Sequence, residues 1–204
     1  MIIPEIYRSK VNSRSMSRYY IGLIVRFLLN IKYAVFRWMA RHNGATIGEN
    51  TLITWKLARR ANKNLIIGED CSIETANLDL RFGGGKKIII HDHVIINKEI
   101  QIIRVSHHID DNADFSTRYF PDLHIGSYSW IATGAKILPQ VTNIEEGCVC
   151  GAFSVITKNC EQDGIYVGNP ARMVRKHNTR FKDIVVCSLK GGDYNVYKDV
   201  KNVK

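Results

Sequence analysis

The sequence predicts a mainly β fold, in which short strands joined by tight corners form stacked coils, three strands to a coil. Two observations predict it. Small residues stand at turn-forming places beside several apolar blocks, and isoleucine recurs every sixth residue in those blocks. The blocks are "IGENTLI" (47–53), "IGEDCSI" (67–73), "IHDHVII" (90–96) and "IGSYSWIATGAKI" (125–137). After one extra residue, which we take to be Asn143, the period resumes at Ile144, Cys150 and Ile156. A period of six fits neither a helix nor a freely alternating strand. It fits a repeat that stacks one aliphatic residue down the inside of each coil.

Length and composition favour one folded domain with appended ends. The chain has 204 residues, of which 45% are hydrophobic and 24% charged, as in an ordinary globular protein. Residues 1–42 form a predicted helical N-terminal segment, 43–169 the body of about five coils, and 170–204 a short C-terminal extension. The period is lost at 104–124, which predicts a long excursion from the coils.

The net charge of +10 is concentrated at the two ends. Residues 1–42 hold eight Lys or Arg and one acidic residue, and 171–204 hold nine basic and three acidic residues. The middle is therefore mildly acidic. Basic ends on such a body favour contact with anionic lipid or phosphate groups. We expect no nucleic-acid partner, because no nucleic-acid-binding motif is found.

The most apolar stretch is 19–42, at the end of the N-terminal segment. Arg26, Lys32 and Arg37 interrupt it, so we do not expect a membrane-spanning helix, and no signal-peptide cleavage site follows. Apolar residues recur at helical spacing. Two interpretations stay open: a helix packed on the body, or a basic amphipathic helix lying on a membrane surface.

Five cysteines, an odd number, occur without a CxxC pair. This usage favours a reducing compartment, in which the cysteines act as small apolar residues. We therefore expect a cytoplasmic protein, with peripheral attachment to the inner membrane face as the further expectation from its basic N-terminal segment.

The stretch "WIATGAKILPQVTNIEEGCVCGAFSVITKNC" (130–160), followed by "YVGNPARMVRKH" (166–177), resembles the hexapeptide-repeat acyltransferases. It is most similar to the O-acetyltransferases of capsular and exopolysaccharide synthesis, including the colanic acid type. The resemblance implies a left-handed parallel β-helix and a homotrimer. It also implies acetyl-CoA-dependent transfer to a sugar hydroxyl of a surface polysaccharide or its precursor.

The stretch "SHHIDDNADF" (106–115) resembles the segment of this family that carries a catalytic histidine. The resemblance assigns that role to His107, which would take the proton of the attacking hydroxyl. His108 as the base and a polar loop without chemistry are the alternatives. Asp110 or Asp111 could orient the imidazole, and spacing does not choose between them.

A metal site is the third alternative at this place. "HDH" (91–93) together with His107 would supply three imidazoles, as in zinc-binding relatives of the same fold. His91 and His93 fall on corner positions, where polar residues are expected in any case. We expect His42, His124 and His177 to lie on the surface. We therefore predict no metal.

The resemblance also implies where acetyl-CoA would lie. The pantetheine arm needs a groove, and the phosphates need cations. Six residues are carried over: Trp130, Gly134 and Ala152 beside the pantetheine, and Lys158, Arg172 and Arg175 towards the nucleotide. A core aromatic is the plain alternative for Trp130, and surface charges are the alternative for Lys158 and Arg175.

Cys148 and Cys150 raise the possibility of a covalent acetyl-enzyme. Both are expected to be buried, so direct transfer is favoured, and Ser154 is expected to serve packing. Other functions stay open: acetylation of a small-molecule hydroxyl such as serine or an antibiotic, N-acylation of an amino sugar, and a non-catalytic scaffold.

Overall fold

The computed structural model describes residues 5–80, 86–107, 118–119, 121–177 and 198, and the side chains within 8–80, 86–106, 121–177 and 198. Its helices are α1 (Glu5–Asn12), α2 (Met16–His42) and α3 (Trp55–Arg60). The strands are β1 (Thr46–Ile47), β2 (Leu52–Ile53), β3 (Leu65–Ile67), β4 (Ser72–Ile73), β5 (Ile88–Ile90), β6 (Ile95–Ile96), β7 (Gln101–Ile102), β8 (Ser106–His107), β9 (Arg118–Tyr119), β10 (Leu123–Ile125), β11 (Trp130–Ile131), β12 (Lys136–Ile137), β13 (Asn143–Ile144), β14 (Val149–Cys150), β15 (Val155–Ile156), β16 (Gly164–Gly168) and β17 (Ala171–Lys176).

Successive strands belong to three different sheets, so the chain winds as a three-sided parallel β-helix. The first face is β1-β3-β5-β10-β13, the second is β2-β4-β6-β11-β14-β16 with β17 at its edge, and the third is β7-β12-β15. In the first coil α3 follows β2, where later coils place the third-face strand. We call the corner between the first and second faces the first edge. The corner between the second and third faces is the second edge, and the corner between the third and first faces is the third edge.

The repeated aliphatic residues pair with one another across coils, as the six-residue period predicts. Each row is buried inside the helix. The first-face row is Ile47, Ile67, Ile90, Ile125 and Ile144. The second-face row is Ile53, Ile73, Ile96, Ile131 and Cys150, and the third-face row is Leu78, Ile102, Ile137 and Ile156.

One residue more than the period requires lies between Ile137 and Ile144. The corner 138–142 absorbs it, with the Val141 N–H donating to the Leu138 carbonyl at 3.0 Å. Asn143 is therefore not an extra residue in the strand. It lies in β13 and pairs with His124 in the ordinary register.

The first edge repeats one backbone conformation in every coil. Residues with φ between 52° and 74° stand there at equivalent places: Asn50, Asp70, His93, Tyr128, Gly147 and Asp163. The glycines near this edge serve close approach. A Cβ at Gly48 would lie 2.4 Å from the amide nitrogen of Glu69, and one at Gly126 would lie 2.5 Å from that of Glu146. Each glycine therefore lets the next coil stack directly above it.

The C-terminal half of α2 packs on the first coil. Ala40 is fully buried there, with Phe36 and Met39 packed beside it. The Arg41 guanidinium donates to the Ile47 carbonyl at 2.9 and 2.6 Å and contacts Glu49 at 2.7 Å. The interpretation of the segment as a helix packed on the body is confirmed for this end.

The rest of α2 differs from a helix that is packed along its whole length. Large apolar side chains on the side turned away from the body are exposed. By length and composition alone α2 could cross a membrane, although its charged residues argued against this in the sequence. Almost none of its apolar window is buried within the structure.

The coils end in a hairpin, in which β17 runs antiparallel to β16. Asn169 precedes Pro170 through a cis peptide bond in the connecting turn. His177 was expected on the surface, and this expectation is wrong. The ring is buried and donates through Nε2 to the Gly147 carbonyl at 2.7 Å, while the His177 N–H donates to Asp163.

Substitution of one inward residue and of its outward neighbour will separate core packing from surface effects. Ile137 is buried and Lys136, beside it in β12, is exposed. We expect Ile137→Ala to lower the free energy of unfolding by about 2–5 kcal/mol. Lys136→Ala should change it by less than about 0.5 kcal/mol. Urea unfolding measures both, and equal losses would show that the inward row does not dominate stability.

Candidate functional site

The excursion from the coils begins after β7 and ends at β10, at the third edge. Its base is closed by a short ribbon in which β8 pairs antiparallel with β9. The backbone of His107 lies in β8 and is opposite Arg118. The side chain of His107 is outside the described residues, as are His108, Asp110 and Asp111, so their roles stay predictions.

Arg104 joins the two ends of this excursion. Its guanidinium donates through Nη2 to the carbonyls of Pro121 and Asp122, at 2.6 and 2.7 Å. Nη1 donates to the Val141 carbonyl in the next corner at 2.7 Å. The start of the excursion is thus bound both to its end and to the following coil.

Burial makes this contact strong and costly to remove. Arg104 is only 4% exposed, and a charged donor to a carbonyl is about twice as strong as a neutral one. The planar fork of arginine suits several carbonyls at once, which a lysine could not match. Arg104 is not among the residues predicted from the sequence. The sequence did contain a signal for it, since Arg104 stands two residues after Ile102, the last inward isoleucine before the six-residue period is lost.

A groove of about 690 Å³ lies beside the end of the excursion, along the outside of the first face. We call it the loop groove. Its lining is polar and includes His91, Asp122, His124, Thr142, Asn143 and Glu145. The Asp122 carboxylate accepts from the Lys87 N–H at 2.6 Å, which fixes the wall formed by the excursion. Amide, hydroxyl, imidazole and carboxylate groups of this kind can recognise a hydroxylated ligand.

Gly134 and Ala152 lie together at the second edge, in consecutive coils. Gly134 has a φ of 73°, and a Cβ there would lie 2.4 Å from the ring of Phe153. Packing therefore requires a glycine at 134, whatever binds near it. Phe153 is 70% exposed and Ala152 is exposed beside it, so this edge offers an uncovered apolar strip.

Trp130 lies on the outside of the second face and is 44% exposed, so the core interpretation of this aromatic is wrong. It stands in a row with Ile95 on one side and Val149 on the other, and Ile165 follows Val149. These outward side chains form an apolar stripe along the face.

The three predicted phosphate ligands are exposed but lie apart from one another. Lys158 follows β15 at the third edge, whereas Arg172 and Arg175 lie in β17 at the end of the second face. Arg172 donates to the Ala171 carbonyl at 2.9 Å. The candidate residues are therefore distributed over two edges and one face, and a single chain does not gather them on one surface.

The cysteines of the last coils are buried, as expected. The Cys148 thiol donates to the Glu161 carbonyl at 2.8 Å. A hydrogen bond with Cys160 and burial together raise the pKa of the Cys148 thiol far above its ordinary value. Such a thiol is not an activated nucleophile. Ser154 is buried too and donates to the Gly151 carbonyl at 2.7 Å, which confirms its packing role.

The histidines of "HDH" lie at corners, as predicted. His93 contacts the buried Asp70 carboxylate at 2.9 Å and stacks on Tyr128. The His91 ring faces that of His124, with centroids 6.1 Å apart. Within the described residues, no group of three or more His, Cys, Asp or Glu could hold a metal ion.

The fold and the anchored excursion define a class: a parallel β-helix of hexapeptide repeats that displays one long insertion at an edge. No family model matches the chain. It is 30% identical over 142 residues to the galactoside O-acetyltransferase of Escherichia coli K12, covering 68% of this chain and 66% of that one. It is 34% identical over 102 residues to a provisionally named acetyltransferase of Schizosaccharomyces pombe, covering 50% and 49% of the two chains.

A solved structure shares the fold. The hexapeptide-repeat acetyltransferase of Vibrio cholerae, complexed with acetyl coenzyme A, superposes with a TM-score of 0.55 at 21% identity. The match covers 82% of this chain and 91% of that one. The chain is therefore similar in sequence to two acetyltransferases and in fold to a hexapeptide-repeat acetyltransferase. The chain spans about half the length of the first curated relative and 66% of the galactoside enzyme.

Removing the Arg104 guanidinium should release the excursion. Arg104→Leu leaves the buried Val141 carbonyl and the part-buried carbonyls of Pro121 and Asp122 without their charged donor, and a hydrogen bond to a charged group contributes about 1.5–3 kcal/mol. We expect a loss of at least about 3 kcal/mol in urea unfolding, and new proteolytic cleavage between residues 104 and 122. Arg59→Leu, at an exposed arginine of α3, is the control. Equal stability and unchanged cleavage in the two variants would refute the anchoring role.

Proposed function

We propose that this chain is an acetyl-CoA-dependent O-acetyltransferase that modifies a sugar hydroxyl of a surface polysaccharide or its precursor. The observation that carries the proposal is the anchored excursion. Its β8 strand holds the backbone of His107 at the third edge, and its far end forms a wall of the polar loop groove. The similarity to the galactoside enzyme supports the same class of reaction.

His107 serves as the general base in this proposal. Its imidazole accepts the proton of the sugar hydroxyl as that oxygen attacks the thioester carbonyl. The tetrahedral intermediate then collapses, the carbon–sulfur bond breaks, and the imidazolium returns the proton to the departing thiolate. The raised pKa of Cys148 supports direct transfer over a covalent acetyl-enzyme.

Acetyl-CoA would lie along the second edge in this proposal. The exposed strip at Gly134 and Ala152 offers a surface for the pantetheine arm, with Trp130 on the adjoining face. Lys158, Arg172 and Arg175 are exposed cations for the phosphates. The colanic acid type remains the proposed relative, and left-handed winding the proposed handedness, both from the resemblance of 130–160 and 166–177.

A homotrimer would bring the separated residues together. In a ring of three chains, the third edge of one chain can meet the second edge of its neighbour. The apolar stripe of Ile95, Trp130, Val149 and Ile165 supports an interface on or beside the second face, since buried interface centres are enriched in such side chains. We place the protein in the cytoplasm, where acetyl-CoA is available and thiols stay reduced.

The His107→Ala variant should lose most of its turnover, about 10²–10⁴-fold, because the base is removed. Release of the coenzyme A thiol from acetyl-CoA, with a panel of cell-surface sugars as acceptors, measures the rate. Trimer mass and acetyl-CoA binding should be unchanged.

His108→Ala is the matched control for this variant. A near-parental rate in His107→Ala with a large loss in His108→Ala would move the base by one residue. Parental rates in both variants would contradict the proposed reaction.

Reversal of a phosphate-binding charge should act on binding and not on chemistry. In Lys158→Glu or Arg175→Glu, KM for acetyl-CoA should rise by about tenfold or more while kcat changes little, because a lost ground-state contact is also lost in the transition state. Lys56→Glu, an exposed lysine of α3, is the control. Unchanged KM in both reversals would show that these charges are only solvated.

A further inference from the structure

The side of α2 that is turned away from the coils is a continuous apolar surface. We call it the outer face. Its nine large side chains are 46–64% exposed: Tyr20, Ile21, Ile24, Val25, Phe27, Leu28, Ile31, Val35 and Trp38. Tyr20, Ile24, Phe27 and Ile31 follow one another at steps of four, three and four, so they line one stripe. Single exposed apolar residues are common, but a contiguous patch of this length marks an interaction surface.

The opposite side of the same helix carries the contacts to the body. Tyr19 and Ala40 are buried, and positions between them at helical spacing are half-buried. The solvent side of α2 is therefore more apolar than that of an ordinary surface helix, whose outward positions are polar.

Charge indicates which partner would cover the outer face. α2 contains no acidic residue, and Arg18 and Lys32 are exposed on it. Residues 1–42 as a whole hold eight basic residues and one acidic residue. An apolar stripe flanked by cations, with Trp and Tyr among its side chains, matches the interfacial zone of a bilayer containing anionic lipid.

Attachment at both ends of α2 indicates how it would meet the bilayer. The Tyr19 hydroxyl donates to the Lys198 carbonyl at 3.4 Å near one end. Ala40 and the Arg41 contacts hold the other end on the first coil. The C-terminal end of α2 packs on the first coil, and its N-terminal end contacts the C-terminal extension. A helix held in this way would draw polar protein surface into the hydrocarbon if it crossed a bilayer. It can lie flat on the membrane.

We propose that α2 is a peripheral membrane-docking helix, which inserts its outer face into the interfacial zone of an anionic bilayer while its inner side stays on the first coil. The partner is the lipid surface itself, and exposed cations next to the stripe add electrostatic attraction. This proposal is independent of the acetyl-transfer reaction, and its test uses no enzyme assay.

Vesicle sedimentation of the full-length chain tests it. The probes are vesicles of phosphatidylcholine with and without phosphatidylglycerol, at about 0.05 M and 0.5 M salt, since the higher concentration screens charge. We expect binding to the anionic vesicles at low salt, weaker binding at high salt, and release of the bound protein by a high-salt wash.

Three variants separate the apolar contribution to vesicle binding from the electrostatic one. The first variant combines Ile24→Gln, Phe27→Gln and Ile31→Gln in one chain. It replaces three apolar residues of the stripe with glutamine, which is a good helix former, and it should abolish vesicle binding. Arg18→Gln with Lys32→Gln should weaken binding about tenfold or more. Lys56→Gln with Arg59→Gln removes the same charge from α3 and should leave binding nearly unchanged. Thermal unfolding checks that each variant is folded.

Three outcomes would overturn the proposal. The first is absence of binding to anionic vesicles at low salt. The second is resistance of bound protein to both salt and alkaline washes, which would make α2 a spanning helix. The third is equal vesicle binding by the parental chain and the triple Gln variant, with a smaller assembly mass for the variant in light scattering, which would assign the outer face to a second copy of this chain.

Discussion

Register between coils is the constraint on which the other features depend. Each inward isoleucine stacks on its equivalent about 4.8 Å away, and the rows at Ile125, Ile131 and Ile137 continue through Ile144, Cys150 and Ile156. A shift by one residue within a strand would turn the row to solvent. The extra residue before Asn143 is harmless because the corner 138–142 takes it up, which leaves the strand register unchanged.

Regular coils present similar flat faces and similar corners, so a distinct binding or catalytic site requires an insertion that leaves the coils. The excursion at the third edge supplies one, and Arg104 holds it in place. A buried guanidinium is expensive to desolvate, and here three carbonyls from two corners compensate it. The polar loop groove lies against the end that Arg104 fixes, so the stability of that contact and the shape of the groove are linked.

Two of the apolar surfaces on the described residues have different settings. The stripe of Ile95, Trp130 and Val149 lies on a flat sheet face, which suits another protein surface. The outer face of α2 is a convex helix flanked by exposed cations, which suits anionic lipid. Assembly and membrane docking would therefore use separate surfaces, and neither would cover the other.

The sequence by itself determined the coils, the inward rows and the corner positions, because stacking in register imposes a six-residue period that is visible in single letters. Residues 130–160 and 166–177 likewise carried the candidate binding residues through their resemblance. Only the tertiary structure decided that Gly134 lies under Phe153, that His177 is buried, that Arg104 joins distant segments, and that α2 is apolar on its outer side. These features depend on which coil lies above which residue, and on which side of a helix faces the body, and neither is written in the local sequence.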